Sequence, residues 1–179
     1  PIQFIKKRYS MDYSVEGLQE YFLNPGELIF SKKPIVIKTV LGSCVAVILY
    51  DKVKQYGGMR HYLLPEAPSD QQSSTKYGDV AIYMLLYKFI KQNNSKREDL
   101  VASICGGAFI IFDEREIFFI GDKNVDIATT ILRKEKILIK QMYTGGDHGK
   151  RVYYNTQNNK IIVQTLERIT IDDLYNPNF

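Results

Sequence analysis

Cys44 closes the run Val40-Leu41-Gly42-Ser43-Cys44, and the apolar segment Val45-Ala46-Val47-Ile48-Leu49-Tyr50 follows it directly. His61 lies on the next apolar segment, in Gly57-Gly58-Met59-Arg60-His61. A thiol of ordinary pKa, about 8.5, is mostly protonated at neutral pH, and the thiolate is the form that attacks a carbonyl carbon. An imidazole beside it can take that proton and later deliver it to a departing amine. Gly42 and Ser43 are small enough to let a substrate carbonyl approach the backbone, where amide N–H groups next to Cys44 could form an oxyanion hole. Together these are the parts of a cysteine-dependent acyl-transfer enzyme.

A lone cysteine in an apolar strand is more often core filling than nucleophile. Cys105, in Ile104-Cys105-Gly106-Gly107, has no histidine near it in sequence and reads as structural. The glycine pair after it either brings backbone close to the thiol or makes a tight turn or bulge. His148, in Gly145-Gly146-Asp147-His148-Gly149, could replace His61 as base or face a partner, but reads first as a solvated loop residue. The two cysteines and two histidines show neither C-x-x-C nor H-x-x-x-H spacing, so no metal site and no cofactor is expected.

Strands and two helices must hold these groups. Residues 34–40 and 43–50 read as β-branched strands separated by the Leu41-Gly42 turn, and 58–64 as a third strand that carries His61 and ends at Pro65. Residues 67–75 are a polar loop. Asp79 is placed as the cap of a helix over 80–92, which has little polar face and is expected to be largely buried. Residues 100–112 and 117–120 are strand candidates. A second helix over 124–135 puts Val125, Ala128, Ile131 and Leu132 on one stripe. Strands over 136–143, 151–155 and 160–171 complete the chain, with Asn158-Asn159 as a hairpin turn. Residues 1–27 read as an N-terminal arm or short helix, 28–171 as the main domain and 172–179 as a tail.

Composition sets the frame. The 179 residues suit one domain, and 45% apolar with 25% charged content is ordinary for a globular protein. No apolar run approaches the length of a membrane span, and Lys6-Lys7-Arg8 precedes no signal-peptide core. With two cysteines and no disulfide framework, a cytoplasmic location is expected. The net charge of +4 comes from scattered residues. Arg-rich clusters interleaved with aromatics are missing, which argues against nucleic acid as a partner.

The segments Leu41-Gly42-Ser43-Cys44-Val45-Ala46-Val47, Gly57-Gly58-Met59-Arg60-His61-Tyr62-Leu63-Leu64-Pro65, Lys76-Tyr77-Gly78-Asp79-Val80-Ala81 and Ile104-Cys105-Gly106-Gly107-Ala108 follow one another in an order that resembles the chemoreceptor glutamine deamidase family, CheD. Ile120-Gly121-Asp122-Lys123-Asn124-Val125 and Thr144-Gly145-Gly146-Asp147 continue the likeness, which spans roughly residues 28–167. The resemblance implies a single-domain three-layer α/β/β sandwich with mixed sheets. It also implies hydrolysis of selected glutamines on methyl-accepting chemotaxis receptors to glutamate, with release of ammonia through a cysteine thioester. Carried over by motif, Cys44 matches the nucleophile and His61 the general base. The family's third catalytic position is a threonine or serine six residues before the cysteine; here Lys38 occupies it, with Thr39 one residue later. A protonated lysine accepts no hydrogen bond from an imidazole N–H. Thr39 faces the other side of a regular strand, and would serve only after a local register shift. Two other readings stand beside this one. The chain could be a chemotaxis adaptor that binds a receptor or a CheC-type phosphatase with weak or no catalysis, or a thiol hydrolase acting on a small free amide.

Overall fold

The computed structural model describes residues 16–109 and 119–167. In chain order these form β1 (Glu20–Phe22), β2 (Leu28–Ser31), β3 (Val36–Leu41), β4 (Val45–Asp51), β5 (Tyr56–Tyr62), α1 (Gly78–Ile90), β6 (Leu100–Gly106), α2 (Ile120–Lys134), β7 (Leu138–Thr144), β8 (Lys150–Asn155) and β9 (Lys160–Thr165). One sheet runs β1-β3-β8-β9 and the other β2-β5-β4-β6-β7. Both are mixed: β1 is parallel to β3 and β6 to β7, while the remaining pairs are antiparallel. A parallel pair needs a crossover, and α2 supplies it between β6 and β7.

The layers follow from side-chain alternation along β4, all seven residues of which are buried. Val45, Val47 and Leu49 face a core shared with Ala81, Ile82, Leu85 and Phe89 of α1 and Ala128, Ile131 and Leu132 of α2. Ala46 and Ile48 face the other way, with Cys44, into a core shared with Ile37 and Leu41 of β3 and Val152 and Tyr154 of β8. Successive strand residues point to opposite faces, so a strand covered on both sides reads as a continuous apolar run. The result is a single-domain three-layer α/β/β sandwich, helices on one face of the five-stranded sheet and the second sheet on the other. Among the described residues no helix is long and apolar enough to cross a membrane.

Several boundaries differ from those the sequence suggests. The described part of the N-terminal segment is not helical: Glu20–Phe22 pairs in parallel with Val36, Ile37 and Lys38. The short strand β2 was not anticipated; it pairs with Arg60, Met59, Gly58 and Gly57 of β5. Helix α1 begins at Gly78 with Tyr77 as its N-cap, so Asp79 is not the cap. Its carboxylate instead accepts from the N–H groups of Val80 and Ala67, tying the polar loop to the first turn. Nor is α1 largely buried, since Tyr83, Met84 and Tyr87 are exposed along one side. Helix α2 starts four residues earlier than its stripe indicates. Strand β6 stops at Gly106. Ile120, the end of the 117–120 strand candidate, opens α2 instead; residues 110–112, 117, 118, 168–171 and the tail 172–179 lie outside the described residues.

Candidate active site

The pairing register brings the two chemical groups to one face. Ala46 of β4 lies opposite His61 of β5, and Ala46 also lies opposite Cys105 of β6. Cys44 is two residues before Ala46 and belongs to the same inter-sheet core, so thiol and imidazole project into the layer between the sheets. Cys44 is 8% exposed and His61 fully buried. Both cysteines are free thiols.

Thr39 completes this layer from the opposite sheet. Its hydroxyl lies 3.0 Å from His61 Nδ1 and donates its only proton to the Leu23 carbonyl at 2.8 Å. Toward the ring it can therefore only accept, so Nδ1 carries the ring proton and Nε2 is the bare acceptor. Nε2 is buried and has no hydrogen-bond partner among the described residues. Lys38 points the other way, pairing with Glu20 and lying over the Tyr153 ring. No register shift interrupts the β3 pairings. Thr39 shares the inward face with Ile37 and Leu41 by simple alternation, and the expected need for a slip in the strand is corrected.

Burial dominates the electrostatics. It pushes the Cys44 thiol up to about 11, against a smaller downward effect from its own backbone N–H. His61 is pushed down to about 4 by its burial, with the Leu23 carbonyl acting weakly in the other direction. A neutral thiol beside a neutral imidazole is thus the resting form at pH 7. Cys105 is raised further, to about 12, by complete burial.

The loop that carries Cys44 is gripped from behind. Gly107 N–H donates to the Cys44 carbonyl at 2.8 Å, and Ala108 N–H to the Gly42 carbonyl at 2.9 Å. Gly106 and Gly107 have φ of 103° and 65°, and a Cβ on Gly106 would stand 2.2 Å from the Cys44 oxygen. Only glycine permits both the left-handed backbone and this approach. The glycine pair thus approaches the backbone carbonyl of Cys44 rather than its thiol, with positive φ at both positions. Ser43 is partly exposed, and its carbonyl accepts from Asn124 Nδ2 at 2.9 Å.

Asn124 was not singled out from the sequence. It occupies the buried stripe of α2, one turn before Ala128, and is fully buried. Besides Ser43 it donates to the Leu63 carbonyl at 2.8 Å, and its own carbonyl accepts from the buried Tyr62 hydroxyl. A polar residue on an otherwise apolar stripe was the available signal. His148 lies apart from this cluster, exposed and 2.5 Å from the Asp147 carboxylate.

A thiol, an imidazole with Nε2 bare and a hydroxyl fixing Nδ1, set between two sheets of an α/β sandwich, form an arrangement whose chemistry is acyl transfer. Residues 63–165 match the family model described as CheD chemotactic sensory transduction. A protein of Sulfurimonas denitrificans is 34% identical over 151 residues, covering 84% of this chain and 96% of its own length. One of Methanococcus vannielii is 36% identical over 140 residues (78% and 90%), and one of Rhodospirillum rubrum 36% over 159 residues (88% and 89%). Each of the three bears the name probable chemoreceptor glutamine deamidase CheD. The chain belongs to the CheD family.

Proposed function

We propose that the protein is a cysteine-dependent protein-glutamine deamidase, an amidohydrolase that converts glutamines of methyl-accepting chemotaxis receptors to glutamate and ammonia. The observation that carries the reading is the Thr39–His61 contact, which leaves Nε2 as a buried base on the face that holds Cys44. The names of the relatives supply the substrate class.

In this mechanism the Cys44 S–H proton passes to His61 Nε2 as sulfur bonds to the side-chain carbonyl carbon of a glutamine. The carbonyl oxygen becomes an oxyanion, stabilised by backbone N–H groups of the 42–44 segment, that of Cys44 included. His61 returns its proton to the amide nitrogen, the C–N bond breaks and ammonia leaves. Water, deprotonated by Nε2, then attacks the thioester; the C–S bond breaks and the thiol is restored with glutamate as product. Because burial favours the neutral pair, the charged pair forms on attack, when the oxyanion and its donors appear together. Thr39 orients the ring throughout, and the product carboxylate adds negative charge to the receptor helices, which tunes their signalling. The same reading places the protein in the cytoplasm with the receptor's signalling region, and gives it a CheC-type phosphatase as a further docking partner.

The test is to incubate the protein with receptor and with free glutamine, following ammonia release and the amide-to-acid mass change of receptor peptides. Conversion of specific receptor glutamines, lost in Cys44→Ala and slowed at least about 10²-fold in His61→Ala, is the expected result. Receptor binding without ammonia release would replace the enzyme by an adaptor. Comparable activity on free glutamine would make it a small-amide hydrolase.

A further inference from the structure

We propose that Asn124 is a positioning residue for the Cys44–His61 pair, acting through the peptide that precedes the thiol and the strand end that follows the imidazole. The inference rests on the deamidase reading of that site. Its three hydrogen bonds all end on residues flanking the pair: Nδ2 on the carbonyls of Ser43 and Leu63, and the backbone carbonyl on the Tyr62 hydroxyl. Cys44 and Leu63 come one step beyond the last ladder pair, Val45 with Tyr62. Asn124 therefore joins two chain ends where the ladder no longer does, from a helix of a different layer.

The consequence for the thiol follows from peptide geometry. In a planar trans peptide the carbonyl and the following N–H point in opposite directions. Holding the Ser43 carbonyl therefore fixes the direction of the Cys44 N–H, the amide next to the thiol in the chain. On the other strand, the bonds to Leu63 and Tyr62 hold the segment immediately after His61. The two Nδ2 bonds also fix which way the amide faces, and Oδ1 is left buried with no partner among the described residues. A buried acceptor without a partner costs stability, so a residue kept only for packing would be better served by an apolar side chain of similar size. An amide suits this place because it supplies two donors from one planar nitrogen to two carbonyls without burying a charge.

The experiment compares Asn124→Ala and Asn124→Ser, which keeps one donor, with the wild-type full chain. Three readouts are taken: kcat and KM on receptor, the pH midpoint of Cys44 alkylation by iodoacetamide read by peptide mass, and the thermal melt. The Ala variant should melt cooperatively, lose about 10²-fold in kcat with KM nearly unchanged, and shift its alkylation midpoint toward that of His61→Ala. The Ser variant should fall between Ala and wild type. If Asn124→Ala does not fold, the same shifts are read in Asn124→Ser. A folded variant with wild-type kcat and a wild-type alkylation midpoint overturns the proposal. Absence of deamidation in the wild type overturns the deamidase reading instead, and the alkylation midpoints then decide the role of Asn124 without it.

Discussion

Replacing Thr39 by valine removes one hydroxyl and little volume. The Leu23 carbonyl loses its 2.8 Å donor and His61 Nδ1 its 3.0 Å acceptor, both fully buried. Each buried polar group left unpaired costs about 1–3 kcal/mol. Part of this returns if the Nδ1 proton turns to the Leu23 carbonyl itself, so the net destabilisation should be about 2 kcal/mol, or ~4–8 °C in Tm for a chain of this size. Catalysis loses more than stability. With the Nδ1 proton turned to the Leu23 carbonyl the productive tautomer is kept but the ring is swung from its place, and this displaced orientation costs about 10–10²-fold in kcat. The assay is initial-rate ammonia release on receptor, with melts on the same samples. Thr39→Ser keeps the hydroxyl and should stay within about threefold of wild type. Lys38→Ala, whose side chain lies on the opposite face against Glu20, should match wild type. Full activity in Thr39→Val would refute the reasoning, and Thr39→Ser as slow as Thr39→Val would show that shape rather than the hydroxyl matters.

Gly107→Ala should lower stability by at least about 2 kcal/mol, because its φ of 65° disfavours a side chain and the new Cβ would meet Val125 Cγ2 at 2.4 Å and the Gly121 carbonyl at 2.8 Å; urea midpoints report it, and the deamidation rate should fall with the displaced Cys44 segment. His61, near 6.5 when unfolded and about 4 when folded, makes the unfolded chain bind more protons between those values. Its contribution of about 3 kcal/mol is therefore complete above pH 6.5 and lost as pH falls through 4, and His61→Gln should flatten this acid limb in urea titrations at successive pH values. His148→Ala should leave both rate and melt unchanged, since that ring is exposed and its hydrogen bond is to its neighbour Asp147.

Cys44 and His61 stood out in the sequence because motif order carries chemistry that spacing alone does not. Thr39 was legible only as a candidate that needed a slip in the strand, for a physical reason: 35–41 is apolar on both faces except at Lys38 and Thr39, so its alternation cannot be read without knowing that Ile37 and Leu41 turn inward. Cys105 seemed remote from any histidine, yet folding sets it across Ala46 from the His61 strand. Asn124 acts over 81 positions to Ser43 and 61 to Leu63, contacts that no local pattern announces. The three layers came with the family resemblance, and the apolar run from Val45 to Tyr50 of β4 agrees with a strand set between two cores. Element ends were less so. A strand as short as β2 carries too few residues to show a period, and the first turn of α2 begins with β-branched Ile120 after aromatic Phe119, which mimics a strand.

The central claim is that Cys44 carries the glutamine as a thioester. Intact-protein mass spectrometry on wild-type protein quenched in acid during turnover with a receptor peptide tests it most directly. The expected result is an adduct equal to the peptide less ammonia, mapped to Cys44, which appears and decays with product and is missing in Cys44→Ala. Deamidated peptide formed at the wild-type rate with no adduct, or by Cys44→Ala itself, would contradict the account.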